Sequence, residues 1–77
     1  MSVTADKEID ARGLKCPLPI LRTKKALAEL DSGQILRVLS TDAASVKDFE
    51  IFSKQTGNTL LEMTQVEQTF IFLINRR

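Results

Sequence analysis

TLLEMTQVEQTFIFLIN, residues Thr59 to Asn75, carries the topology of this 77-residue chain. Thr69 to Asn75 is its most strand-like run, dense in β-branched and aromatic side chains, and Thr59 to Gln65 alternates moderately. Only Val66-Glu67-Gln68 lies between them, a link that permits an antiparallel hairpin and nothing longer. Upstream the period changes. Val46, Phe49 and Ser53 make the inner face of a helix with Phe52 at its margin, and Gly57 stands where a left-handed C-cap is expected. Thr41 or Asp42 supplies its N-cap. Gln34 to Ser40 reads as a buried strand broken only by Arg37. Before it, Ile20, Thr23, Leu27 and Leu30 fall on one face of a helix that begins at or just after Cys16 and ends at Asp31-Ser32-Gly33. Lys7-Glu8-Ile9-Asp10 is a short edge strand. Each helix thus joins two strands through a crossover of roughly fifteen residues, as parallel or split pairings require. The expected fold is a two-layer α/β sandwich of βαβαββ order, two helices packed on one face of a four-stranded mixed sheet.

Length and composition bound the rest. Seventy-seven residues make a single domain, 1–77, with residues 1–6 expected to be flexible. A net charge of +1 gives no strongly basic surface, so direct nucleic-acid binding is not expected. The chain has no histidine and one cysteine, which excludes imidazole bases, intrachain disulfides, CxxC redox couples and zinc clusters. No metal and no cofactor are expected. The N-terminus does not read as a secretory signal, and the longest apolar run, Phe70 to Ile74, is far short of a membrane span. A free thiol without an export signal fits the cytoplasm.

The chemistry therefore rests on Lys15-Cys16-Pro17-Leu18-Pro19. An isolated cysteine is commonly a small buried hydrophobe. Here it stands at a predicted helix N-terminus, where the dipole favours an anion. Five basic residues (Arg12, Lys15, Arg22, Lys24, Lys25) and no acidic one lie between Ala11 and Ala28; the remaining stretches hold all ten acidic residues. Both features lead us to expect a thiol pKa below the ordinary value. Pro17 and Pro19 stiffen the helix start but remove two N–H donors, so the segment suits the display of an anionic sulfur better than an oxyanion hole.

The decapeptide Asp10-Ala11-Arg12-Gly13-Leu14-Lys15-Cys16-Pro17-Leu18-Pro19 resembles the signature of the TusA/SirA family of small sulfur-carrier proteins. The resemblance runs on through Thr41-Asp42-Ala43-Ala44-Ser45, Asp48-Phe49 and Thr56-Gly57-Asn58-Thr59-Leu60-Leu61. It implies a βαβαββ fold in which Cys16 accepts sulfane sulfur as a persulfide and hands it on. Pro17 and Pro19 would shape the helix start, and Asp10 and Gly13 the loop that presents the thiol. The implied partners are a sulfur-donor protein, a cysteine desulfurase or a rhodanese, and an acceptor protein. The relay would serve tRNA thiolation, molybdenum-cofactor maturation or sulfur oxidation. Three positions depart from common family patterns: Leu18 replaces an acidic residue frequent in members serving tRNA thiolation, Asn58 replaces a histidine, and Ser53 stands where some relatives carry another cysteine.

Arg12, Lys15, Arg22 and Lys25 are the candidate docking cations, set against the plainer reading of a solvated helix face. Asp42 reads first as a helix cap, and Arg37 as a sheet residue reaching water. A carrier of this kind is expected to be a monomer and a protein substrate more than a stand-alone catalyst, since it has no second thiol. The competing class is an RNA-binding or regulatory two-layer module, against which stand the near-neutral charge and the absence of Tyr and Trp.

Overall fold

A computed structural model describes residues 4–77. The elements follow as β1 (Lys7–Ala11), α1 (Leu18–Ala28), β2 (Ile35–Ser40), α2 (Ala44–Thr56), β3 (Thr59–Val66) and β4 (Thr69–Asn75). The sheet order is β1-β2-β4-β3. β1 and β2 run parallel, and β4 is antiparallel to both β2 and β3. The βαβαββ sandwich with a mixed four-stranded sheet is therefore present. Each helix links two parallel strands, and β4 lies between the pair joined by α2.

Register explains the single core. Ile9 pairs with Val38, Val38 with Phe72 and Phe72 with Met63, so one row of side chains crosses the sheet beneath the helices. Leu36, Val38, Phe72 and Ile74 of that layer are buried. Phe49 of α2 stacks on Phe72 with ring centroids 4.3 Å apart, and Phe52 meets Phe49 edge-on at 6.5 Å. From α1 the buried residues are Pro19, Thr23, Ala26 and Leu27. Ile20 and Leu30, expected on that face, are only half-buried and pack at its border. Starting at Leu18 with Pro19 in the first turn rotates the inner face, so positions 19, 23, 26 and 27 point inward. The Thr23 hydroxyl is satisfied within the helix, donating to the Pro19 carbonyl at 2.8 Å.

The ends of α1 and the chain start differ from expectation. α1 stops at Ala28, because the Glu29 and Leu30 N–H groups donate back three residues, to Ala26 and Leu27, and tighten the last turn. Arg76 Nε is a second donor to the Leu27 carbonyl, at 2.9 Å. At the other terminus, residues 1–3 of the segment expected to be flexible lie outside the described residues. Asp6 is held at both ends: its N–H donates to the Ile35 carbonyl, and its carboxylate accepts the Ile35 N–H, each at 2.8 Å. On the helix-free face Arg37 is exposed and pairs with Glu8 at 3.1 Å. Gly57 takes the expected left-handed C-cap at φ +78°, its N–H donating to the Ser53 carbonyl. Among the described residues no helix is long and apolar enough to cross a membrane.

Candidate functional site

The loop between β1 and α1 is fastened to the start of α2. Gly13 sits at φ +82° with nothing near the position of a side chain, so glycine is required there by the backbone and not by crowding. Its N–H donates to Thr41 Oγ1 at 2.9 Å, and the Leu14 N–H donates to the Ala11 carbonyl at 3.2 Å. The Cys16 N–H donates to Asp42 Oδ2 at 2.7 Å. Asp42 Oδ1 accepts the Ala44 N–H at 3.1 Å. The N-cap residue of α2 is Ala43, which offers no capping side chain, in place of the expected Thr41 or Asp42; the Asp42 carboxylate, one residue earlier, serves the first N–H of the helix and also pins the cysteine loop. The Cys16–Pro17 peptide is cis, and Pro17 is the N-cap residue of α1.

Cys16 is exposed and faces two shallow clefts. One, about 250 Å³, lies between the helices and is lined by Ile20, Lys24, Asp48, Ile51 and Phe52. The other, about 500 Å³, opens between the cysteine loop and residues 41–44. The thiol environment reverses the electrostatic expectation. The Cys16 pKa is raised, first by the Asp48 carboxylate that shares its cleft, then by partial desolvation and by the charges of Asp48 and Asp42. Two physical reasons account for the reversal. The basic residues are neighbours of Cys16 in sequence, whereas the carboxylates that act on its thiol, Asp48 of α2 and Asp42 just before that helix, come from later in the chain. The helix N-terminus is also nearly spent: Pro19 has no N–H, and the Leu18 N–H donates to the Lys15 carbonyl at 2.9 Å.

The remaining expected site residues separate into groups. Asp10 lies at the end of β1 and accepts from Arg12 three times, from Nε and Nη2 at 2.8 Å and from the backbone N–H at 3.0 Å. That fork holds the Asp10 carboxyl down at about 2. Arg12 is thus committed to Asp10 and shapes the turn. Pro19 is buried under the sheet layer, a core residue as well as a helix starter. Lys15 is exposed beside the thiol and lines the second cleft. Arg22 and Lys25 are exposed on the β1 flank of α1, along a cleft shared with Lys7, Asp10 and Glu29. Lys24, not singled out for docking, is the α1 cation that lines the inter-helix cleft with Cys16.

Asp48 is the site residue that sequence reasoning passed over. A signal existed: it lies three residues after buried Ser45 and four before buried Phe52, so an acidic side chain interrupts the inner face of an amphipathic helix. Chemically, the arrangement offers one accessible thiol with carboxylates beside it and no second thiol. Any exchange at this sulfur needs a partner sulfur brought from outside.

Known proteins resemble this chain along most of its length. The family described as Sulfurtransferase TusA matches residues 7–76. The sulfur carrier protein TusA of Allochromatium vinosum is 56% identical over 71 residues, spanning 92% of this chain and 93% of its own. The crystal structure of a SirA-like protein from Desulfitobacterium hafniense superposes with a TM-score of 0.79 at 31% identity, covering 90% of this chain and 95% of that one. A match across every element from β1 to β4, with Cys16 inside it, is sufficient to conclude that this chain belongs to the TusA family of sulfur-carrier proteins.

Proposed function

We propose that Cys16 accepts sulfane sulfur from a donor protein, carries it as a persulfide in the cytoplasm and surrenders it to an acceptor cysteine. The observation that carries this reading is the exposed, solitary thiol at the rim of two clefts, on a loop whose backbone Asp42 holds, in a chain of sulfur-carrier lineage. The reaction is an exchange, and no oxidant enters. The Cys16 thiolate attacks the terminal sulfur of the donor persulfide. A bond forms between Sγ and that sulfur, the donor S–S bond breaks, and the donor cysteine leaves as a thiolate. Hand-over to the acceptor repeats the step in reverse roles. Leu18, exposed beside the thiol, favours an acceptor outside tRNA thiolation.

An RNA-binding role finds no support in the sheet. Phe72 is buried against Phe49, and Phe70 packs toward the same core, so neither aromatic forms a stacking platform on the open face. Arg22 and Lys25 remain the proposed docking cations on one flank of α1, with Lys15 beside the thiol. The test is direct. Incubation with a cysteine desulfurase and cysteine, or with a rhodanese and thiosulfate, should add one sulfur atom to the intact protein. Reductant should remove it, and Cys16→Ser should never gain it. Intact mass unchanged with both donor classes would reject the carrier reading.

A further inference from the structure

The seam between the two helices continues past the thiol cleft. Each helix returns along the sheet between two parallel strands, so α1 and α2 run in the same direction with Cys16 at the starting end. Beyond the thiol cleft a further one, about 460 Å³, ends at Arg76 and Arg77 after β4. Lys24, Phe52, Gln55 and Thr56 line both, which makes the two a single groove. Its charge is uneven. Asp48 stands at the thiol end, whereas the far end is lined by Lys24, Arg76 and Arg77 and, among the described residues, by no acidic one. Arg76 is committed, donating from Nε to the Leu27 carbonyl and from Nη1 to the Arg77 backbone oxygen. Lys24 and Arg77 have no carboxylate partner among the described residues. Buried Phe52 adds an apolar floor.

We infer that this groove receives an extended segment of a partner protein, with the partner's exchanging cysteine over Cys16 and an acidic residue four positions away at Lys24 and Arg77. The inference rests on the persulfide reading and adds to it the sequence chemistry by which a partner is chosen. Shape argues for a chain segment. An open, shallow groove leaves a small molecule largely in water, whereas a small-molecule pocket covers most of its ligand. Length sets the spacing. From Asp48 to Thr56 α2 rises roughly 12 Å along the groove. An extended chain covers that distance in three to four residues at about 3.3 Å each. Its side chains alternate, so the fourth residue points the same way as the cysteine. Charge sets the polarity. Asp48 opposes an acidic neighbour of the incoming cysteine, and the two unpaired cations favour the acid at the far end.

The test uses the whole protein with Cys16 converted to its 2-thiopyridyl disulfide, and short Ala/Gly peptides that carry one cysteine. The peptide thiolate attacks Cys16 Sγ, a new S–S bond forms, the Sγ–thiopyridyl bond breaks, and the leaving thiolate takes a proton from water as 2-thiopyridone. Each rate is divided by the same peptide's rate with dipyridyl disulfide, which removes differences in intrinsic thiol reactivity. Glu is placed four positions before or four positions after the cysteine, each with a Gln control. One of the two placements should react about threefold faster than its control at low salt, the size of an exposed ion pair. Changing exposed Lys24→Gln and Arg77→Gln together should erase the gain, while Arg22→Gln with Lys25→Gln on the other flank should keep it. Equal rates for Glu and Gln in both placements overturn the inference. So does a gain that survives in the Lys24/Arg77 variant, folded by circular dichroism. A dimer of the parent in ultracentrifugation that this variant dissolves assigns the groove to a second copy and overturns it too. Sulfur loading separates the two readings. A Glu preference in a protein that neither donor class loads defeats the carrier reading and leaves the groove standing, whereas normal loading without the preference defeats the groove alone.

Discussion

Replacing Asp42 by alanine should cost the domain stability and loosen the loop that bears the thiol. The carboxylate uses both oxygens, Oδ1 for the Ala44 N–H and Oδ2 for the Cys16 N–H. Loss of a side-chain acceptor at the start of a helix costs about 1 kcal/mol. Loss of a charge-assisted hydrogen bond adds roughly another 1 to 1.5 kcal/mol, no more than the bottom of its range of about 1.5–3 kcal/mol because the loop is accessible to water, which can take over the donor. The sum is about 2 kcal/mol. For a domain of this size it corresponds to a fall of roughly 10 °C in Tm. Asp42→Asn should recover less than half, because an amide has one acceptor oxygen where the carboxylate uses two. Urea unfolding of the three proteins gives the energies, and hydrogen exchange gives the location: the Cys16 amide should exchange faster while the β4 amides change only with global stability. A loss below about 0.5 kcal/mol in Asp42→Ala, less than either hydrogen bond alone should cost, would refute the bridging role.

Other expectations follow from the same geometry. Arg12→Gln should raise the Asp10 carboxyl from about 2 toward 3.8, read by carbon NMR of the side chain; because the folded pKa is depressed, the ion pair favours the fold above about pH 4 and this contribution fades as pH falls toward 2. A carboxyl that titrates unchanged in the variant would contradict the fork. Phe49→Ala removes a fully buried ring stacked on Phe72 and should cost about 3–5 kcal/mol, enough to leave much of so small a domain unfolded by circular dichroism. Gly57→Ala combines φ +78° with Arg77 Cδ only 3.0 Å from the new methyl group and should lower stability by about 1 kcal/mol, measured as a shifted urea midpoint at constant m. Reversing Arg22 and Lys25 to Glu should slow sulfur acceptance at low salt, with the deficit shrinking as salt rises; transfer at the parent rate would mark that flank as merely solvated.

The elements were largely readable because each has a local cause. β4 was readable from Thr69 to Asn75, since a run of β-branched and aromatic residues between turns has few other uses. Gly57 was readable as a cap because a left-handed residue after an amphipathic helix is nearly always glycine. The inner face of α1 was read with Ile20 and Leu30 in place of Pro19 and Ala26, because proline and alanine carry little hydrophobic signal. At the site, Cys16 and its turn were visible as a contiguous segment. Its electrostatics were not. Charge counted along residues 12–27 says nothing about Asp42 and Asp48, which come to Cys16 only after β2 and α2 fold beside it. An acidic residue on an otherwise inward helix face was the one available hint.

The strand order has a consequence for how the carrier is made. β4 is the last element in the chain, yet it lies between β2 and β3 and supplies Phe72 and Ile74 to the core. A nascent chain that has emerged only as far as Val66 has the thiol loop and both helices but no partner for β3 and no seat for Phe49. The β1–β2 and β2–β4 pairings join residues far apart in the chain, which slows folding and delays the gain until those strands meet; only the β3–β4 hairpin is local. The domain should therefore be assembled after the ribosome has released Asn75, in one step and not by stages. The clefts that flank Cys16 would close into shape together with that step. Quality control and first use of the thiol are thus set by the same event, the insertion of the final strand.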